Sequence, residues 1–241
     1  MSAVSSRSNF LRLLCIFVLL ISAAGCAKTH QGRSIKESGF FTDYSQFRKG
    51  KGDEAQLVYT NPAALTNFAH YNTIMIDSIS VYALKKSRLA KLDKEQVESL
   101  VGYLHQALVT ELGKDYQIVD KPGPDTLRLR VALTEARGSN VVLDATTTII
   151  PQFRLLSSGA QLIADTAAVV GTARVEAELL DSVTGERLVA AVDERSGSKA
   201  LKGVFNKWSD VQDAFTHWAV RARTRFAALR SGAAAGERPG K

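Results

Sequence analysis

Two β-prone runs, Gly171 to Asp181 and Arg187 to Arg195, flank the six residues DSVTGE. No other stretch of the chain narrows the fold as much. Asp, Ser and Thr side chains bond locally in a tight reversal and Gly185 supplies a permissive backbone, so the sequence predicts an antiparallel hairpin turning at Asp181 to Glu186. Thr126 to Ala136 alternates cleanly, with Leu127, Leu129, Val131 and Leu133 on one side and Arg128 and Arg130 on the other. That is a strand with one buried face and one wet or helix-rimmed face. Tyr71 to Leu84 is rich in β-branched and aromatic residues, with Ile74 and Ile76 opposed to Met75 and Ile79, as expected of a central strand covered on both sides. Leu57 to Tyr59, before the Asn61-Pro62 turn, and Tyr116 to Val119 read as short extended pieces.

Cover for this sheet comes from two helices. Asp93 with Gln96 fits a capping box, and Val97, Leu100, Val101, Leu104, Leu108 and Leu112 form one apolar stripe ending near Gly113. Ser209 with Gln212 is expected to cap the second helix, whose buried side is Val211, Phe215, Trp218, Ala222, Phe226 and Leu229. Arg221, Arg223, Arg225 and Arg230 crowd its later half, where cations favour the negative end of the helix dipole. Val141 to Ile150 is β-prone and Phe153 to Ala164 reads as a short amphipathic helix. The order predicts an α+β fold: a single two-layer or sandwich domain, a mainly antiparallel sheet with two main helices packed on it.

The N-terminus has a different character. Arg7 and Arg12 precede an apolar run from Leu13 to Ile21. It is too short for a bilayer span of about 20 residues and fits the core of a signal peptide. Ser22, Ala23, Ala24, Gly25 and Cys26 then resemble a lipobox, although Leu is commoner than Ala23 three residues before the cysteine. The resemblance implies cleavage before Cys26 and attachment of a diacylglycerol to its thiol, and multiple acyl chains anchor stably. Residue 27 is Ala, not the Asp associated with inner-membrane retention. The expected address is therefore the cell envelope, anchored to the outer membrane and facing the periplasm. The expected organisation is a signal peptide at 1–25, a lipidated N-terminus and tether at 26–37, a domain at 38–230 and a disordered tail at 231–241.

Composition limits the chemistry. Cys15 and Cys26 are the only cysteines of the 241 residues, and both are accounted for by the signal and its lipid, so no disulfide or cysteine-based metal site is expected. Cleavage leaves 29 of the 31 basic residues against 24 acidic ones, a mild excess suited to anionic lipid or peptidoglycan. Nucleic acid is not an expected partner at this location. Arg48, Lys49 and Lys51 sit among glycines and read either as a solvated loop or as a membrane- or wall-binding surface. Phe40, Phe41, Tyr44 and Phe47 recur at a helix-like spacing. They read as an apolar strap over the core or, with Trp208, as an exposed binding patch.

The densest polar stretch holds Glu176, Glu178, Asp181, Glu186, Arg187, Asp193, Glu194 and Arg195. Glu176 and Glu178 share a strand face and suit pairing with cross-strand arginines. The catalytic alternative places acid–base or cation chemistry on Asp181, Glu186 and Asp193. Ser157, Ser158 and Ser196 lie in no G-x-S-x-G elbow, and His30, His70, His105 and His217 form no H-E-x-x-H pair. No catalytic residue, cofactor or metal is assigned, and a non-enzymatic protein is expected.

SGFFTDYSQF, LVYTNPAA, YNTIMIDSISVY, GTARVEAELLDSVTGERLVAAVDERSGSK and WSDVQDAFTHWAVRARTRF occur in that order. Together they resemble the bacterial lipoproteins of domain-of-unknown-function family 3313, over about Ser38 to Leu229. The resemblance implies a cell-envelope lipoprotein with one α/β domain, and it brings no established activity. The expected role is a protein-interaction or envelope-assembly module, with peptidoglycan, glycan or lipid binding as the alternative.

Overall fold

The computed structural model describes residues 29–32, 36–139, 170–197 and 206–232. The signal peptide, Cys26, the runs at 141–150 and 153–164, and the tail beyond Gly232 lie outside the described residues. So do Ser157 and Ser158.

Nine strands form one sheet among the described residues: β1 (His30–Gln31), β2 (Arg48–Lys49), β3 (Leu57–Thr60), β4 (Thr73–Ile76), β5 (Ser80–Val81), β6 (Gln117–Ile118), β7 (Thr126–Arg137), β8 (Thr172–Asp181) and β9 (Arg187–Ser196). The order across the sheet is β2-β3-β9-β8-β7-β4-β6. β1 pairs with the end of β9, and β5 pairs with β7 beyond β4. Pairing is antiparallel from β2 to β7 and parallel where β4 and β5 meet β7 and where β6 meets β4. The α+β expectation holds, with a mixed sheet that is mostly antiparallel. The run from Tyr71 to Leu84 is two short strands, because the chain leaves the ladder between Ile76 and Ser80.

The hairpin expected at DSVTGE joins β8 to β9. Asp181 Oδ1 accepts from the N–H groups of Val183 (3.0 Å) and Thr184 (2.7 Å), and Gly185 takes φ +71°, which a side chain would resist. The helices α1 (Lys94–Leu112) and α2 (Ser209–Arg230) pack side by side. They run parallel: Tyr103 lies beside Phe215, and Asp115, just past α1, meets Arg223 two turns further along α2. Asp93 caps α1 by accepting from Gln96 N at 2.7 Å. Gly113 ends α1 with φ −64°, an ordinary helical value, so its value is space: a Cβ would lie 2.7 Å from the Val109 carbonyl. At α2 the expected Ser209 cap is not used. Trp208 holds the cap position, and Asn206 Oδ1 accepts the Trp208 N–H instead.

The two faces of the sheet are covered differently. Leu127, Leu129, Val131, Leu133, Val175 and Leu179 meet both helices in the main core, where Leu104, Leu112 and Phe215 are fully buried. On the opposite face lies the aromatic segment, built from bends and a turn rather than a helix. Phe41 is buried on Ala190 and Val192, with Phe40, Tyr44 and Phe47 around it. The strap reading is the one the structure bears out.

Candidate functional site

Small side chains create the most distinctive feature on the helix face. Ala177 and Ala191 are direct cross-strand partners on β8 and β9. Trp218, Ala222 and Phe226 of α2 stand over them, and neither they nor the neighbouring valines close the gap. The result is a half-open cavity of about 210 Å³, walled by Val58, Val175, Leu179 and Val189 from the sheet and by Leu104 and Leu108 from α1. Several of its charged groups lie where the β2–β3 loop meets α2. Arg221 pairs with Asp53 at 2.7 Å, and Arg225 reaches Glu54 at 3.6 Å. Asp193, buried on β9, accepts from Trp218 Nε1 and Gln31 Nε2, both at 2.8 Å, and lies 3.6 Å from Arg195.

The rim is electrostatically set. Glu54 is held at a pKa of about 2: the Arg48 hydrogen bond outweighs burial, helped by the Lys51 N–H and the charges of Arg48 and Arg225. Burial lowers the His217 pKa, the Arg195 charge adds to this, and Asp193 opposes it, so the imidazole on the rim is neutral at pH 7.

The same rim holds the N-terminal segment. Arg195 donates to Thr29 Oγ1 (2.6 Å) and to the Thr29 carbonyl (3.1 Å). Gln31 also donates to the Glu54 carbonyl, and Gln56 donates to the Gly32 carbonyl at 2.5 Å. The polar stretch expected to be tether as far as Glu37 is thus partly domain. Strand pairing of β1 with Arg195 and Ser196, plus these side-chain bonds, overrides its polar composition.

The other sequence-derived candidates separate. Arg48 forms a bidentate pair with Glu54 (2.6 and 2.9 Å), while Lys49 and Lys51 are exposed. Asp181 is spent on its turn and on the Tyr71 hydroxyl at 2.7 Å. Burial works against its ionisation, yet bonds from Thr184, Tyr71 and Val183 hold its pKa below the ordinary range. Burial and then Asp181 push the Tyr71 pKa up. Glu186 accepts from Asn61 Nδ2. Asp193 pairs with Val175, six positions along β8 from Asp181, about 20 Å away at ~3.4 Å per residue. The three carboxylates therefore share no site. Glu178 does pair with its cross-strand Arg130 (2.6 Å) and with Arg187 (2.8 Å). Glu176 does not, because its strand neighbours are Ala132 and Val192; it accepts from the Tyr44 hydroxyl (2.5 Å) and the Ser38 N–H. Trp208 packs partly against the main core. Among the described residues no three His, Cys, Asp or Glu side chains converge as a metal set would, and no helix is long and apolar enough to cross a membrane.

Among curated proteins none matches the chain. Solved structures give loose likenesses. The PelC dodecamer from Paraburkholderia phytofirmans is 14% identical at TM-score 0.38, over 70% of this chain and 94% of that one. Protein XCC0632 from Xanthomonas campestris is 8% identical at TM-score 0.40, over 68% and 88%. A minor lipoprotein from Acinetobacter baumannii is 11% identical at TM-score 0.34, over 66% and 95%. At these scores the likeness transfers neither activity nor partner. The family described as Protein of unknown function (DUF3313) matches residues 36–222, which include the strap, the hairpin, α1, the first part of α2 and most of the cavity walls, with Arg225 and Phe226 beyond the match. The chain belongs to that family.

Proposed function

We propose that this protein is an outer-membrane lipoprotein, anchored through lipid on Cys26 and facing the periplasm, whose domain is a non-catalytic binding module for an envelope assembly. The observation that carries the proposal is the attachment of Thr29 to Arg195. Only Ala27 and Lys28 separate Cys26 from it. Three residue steps span at most about 11 Å, so a lipid on Cys26 holds this edge of the sheet against the membrane surface. A non-catalytic role is favoured by the use of the charged side chains, since Glu176, Glu178 and Asp181 each serve the strap, the sheet or the turn.

Acyl labelling tests the anchor. Wild-type protein is expected to incorporate labelled fatty acid, and Cys26→Ser to remain an uncleaved precursor without label. Normal labelling of Cys26→Ser would refute the assignment. In-cell crosslinking followed by mass spectrometry tests the module, and repeated failure to recover any envelope protein would count against an assembly role.

A further inference from the structure

Folded cores are packed to crystal-like density and rarely leave voids larger than a water molecule. This chain leaves about 210 Å³ between its sheet and α2, by placing alanine at both members of one cross-strand pair and again at Ala222 above them. Most of its exposed wall is apolar, so an apolar guest that displaces water from it is favoured. A half-open, mainly apolar pocket with a few polar groups in its lining is the usual form of a ligand site.

We infer that the cavity receives a segment of one acyl chain of an anionic membrane phospholipid, with the head group at the arginines of the rim. Two guanidiniums, Arg221 and Arg225, line the cavity beside the β2–β3 loop, while Arg195 is held by Thr29 and Asp193. The carboxylate partners of Arg221 and Arg225 leave room for an anion. Asp53 is 79% exposed in its bridge to Arg221, and a bridge of that kind contributes little and exchanges easily. Glu54 is already engaged by Arg48 at 2.6 and 2.9 Å, and Arg225 approaches it only to 3.6 Å. Arginine is well suited to phosphate because its donors match the oxygens in a fork. Position selects a membrane lipid over other amphiphiles. Arg195 both lines the cavity and holds Thr29, so the mouth opens beside the segment leading to Cys26. That last step rests on the anchored reading above; the shape and chemistry of the cavity do not.

The test uses the full chain mixed with vesicles of phosphatidylglycerol carrying a diazirine in one acyl chain. After irradiation, lipid adducts are expected on the peptides containing Ala177, Ala191 and Ala222. Adducts confined to other surface peptides, or none, would overturn the proposal. Ala177→Leu with Ala191→Leu fills the space and should reduce these adducts at least tenfold. Because this pair of changes risks the fold, Arg221→Glu at the exposed rim serves as a second variant. It should cut labelling several-fold for phosphatidylglycerol and leave labelling by the phosphatidylcholine analogue unchanged; equal loss for both lipids would remove the head-group role. In cells fed a diazirine fatty acid, a crosslink joining the Cys26 peptide to β8 or β9 would mean that the protein's own acyl chain fills the cavity, which overturns the phospholipid assignment. Failure of the anchor reads out separately, since Cys26→Ser would then take up the same label in cells as wild type, whatever the vesicles show.

Discussion

At the scale of single residues, the rim of the cavity is built on Glu54. Its pKa lies at about 2 against an ordinary 4.5, so the carboxylate binds its proton more weakly in the folded chain than in the unfolded one. The stabilisation is therefore complete above about pH 4.5 and is lost as pH falls toward about 2. Glu54→Gln should lower the urea midpoint at pH 7 and flatten its acid dependence within that window. An unchanged midpoint at pH 7 would show that the Arg48 pair does not hold the β2–β3 loop. Asp210 offers a sharper test. Its Oδ2 accepts from Gly171 N at 2.8 Å, tying the second residue of α2 to the mouth of the hairpin, and Gly197 N donates to the Gly171 carbonyl. A Cβ on Gly197 would lie 2.1 Å from Asp210 Cγ, and one on Gly171 would lie 2.6 Å from Asp210 Cβ. Each Gly→Ala change should cost about 1–3 kcal/mol through overpacking. Asp210→Ala removes Cγ and keeps Cβ. It should therefore relieve Gly197→Ala and not Gly171→Ala, a difference that thermal unfolding of the two double mutants would read directly.

Among elements, α1 and the strap were the most and the least legible. The α1 stripe and its Asp93 cap follow from local spacing, and Asp93→Ala should cost about 1 kcal/mol in chemical unfolding. A change near zero would mean that tertiary packing alone holds the helix start. The strap's aromatics suggest a helix by spacing, but no helix forms, because the outer sheet face supplies stronger partners. Arg187 lies over the Phe41 ring at 5.2 Å, Arg130 over Phe40 at 5.4 Å, and Tyr44 reaches Glu176. Phe41→Ala should cost about 3–5 kcal/mol, as for other buried aromatics. Protease cleavage within 38–47 should accelerate with it if the segment is held chiefly by that ring; equal cleavage rates would place the hold elsewhere.

For the whole molecule, β1, paired with the end of β9, is the described strand that follows Cys26 most closely along the chain. Ten Gly/Ser residues inserted between Lys28 and Thr29 would give the link about 17 Å of added root-mean-square reach. The proposed function predicts unchanged unfolding stability for this variant. It also predicts a several-fold loss of in-cell crosslinks to membrane-proximal partners. Undiminished crosslinks would mean that the short link does not position the domain.

Sequence alone determined the hairpin, the alternating strand β7, both helices and the α+β class, because each rests on local periodicity or turn chemistry that needs no distant partner. The lipobox-like string ending at Cys26 is also read as linear chemistry, and it lies outside the described residues. Tertiary structure alone decided that Glu178 finds arginine while Glu176 finds tyrosine. It also separated Asp193 from Asp181 and built Thr29 to Gly32 into the domain. The cavity belongs with these. Ala177, Ala191 and Ala222 read along the chain as ordinary core positions, and the space between them exists only once β8 pairs with β9 in one register and α2 lies across both.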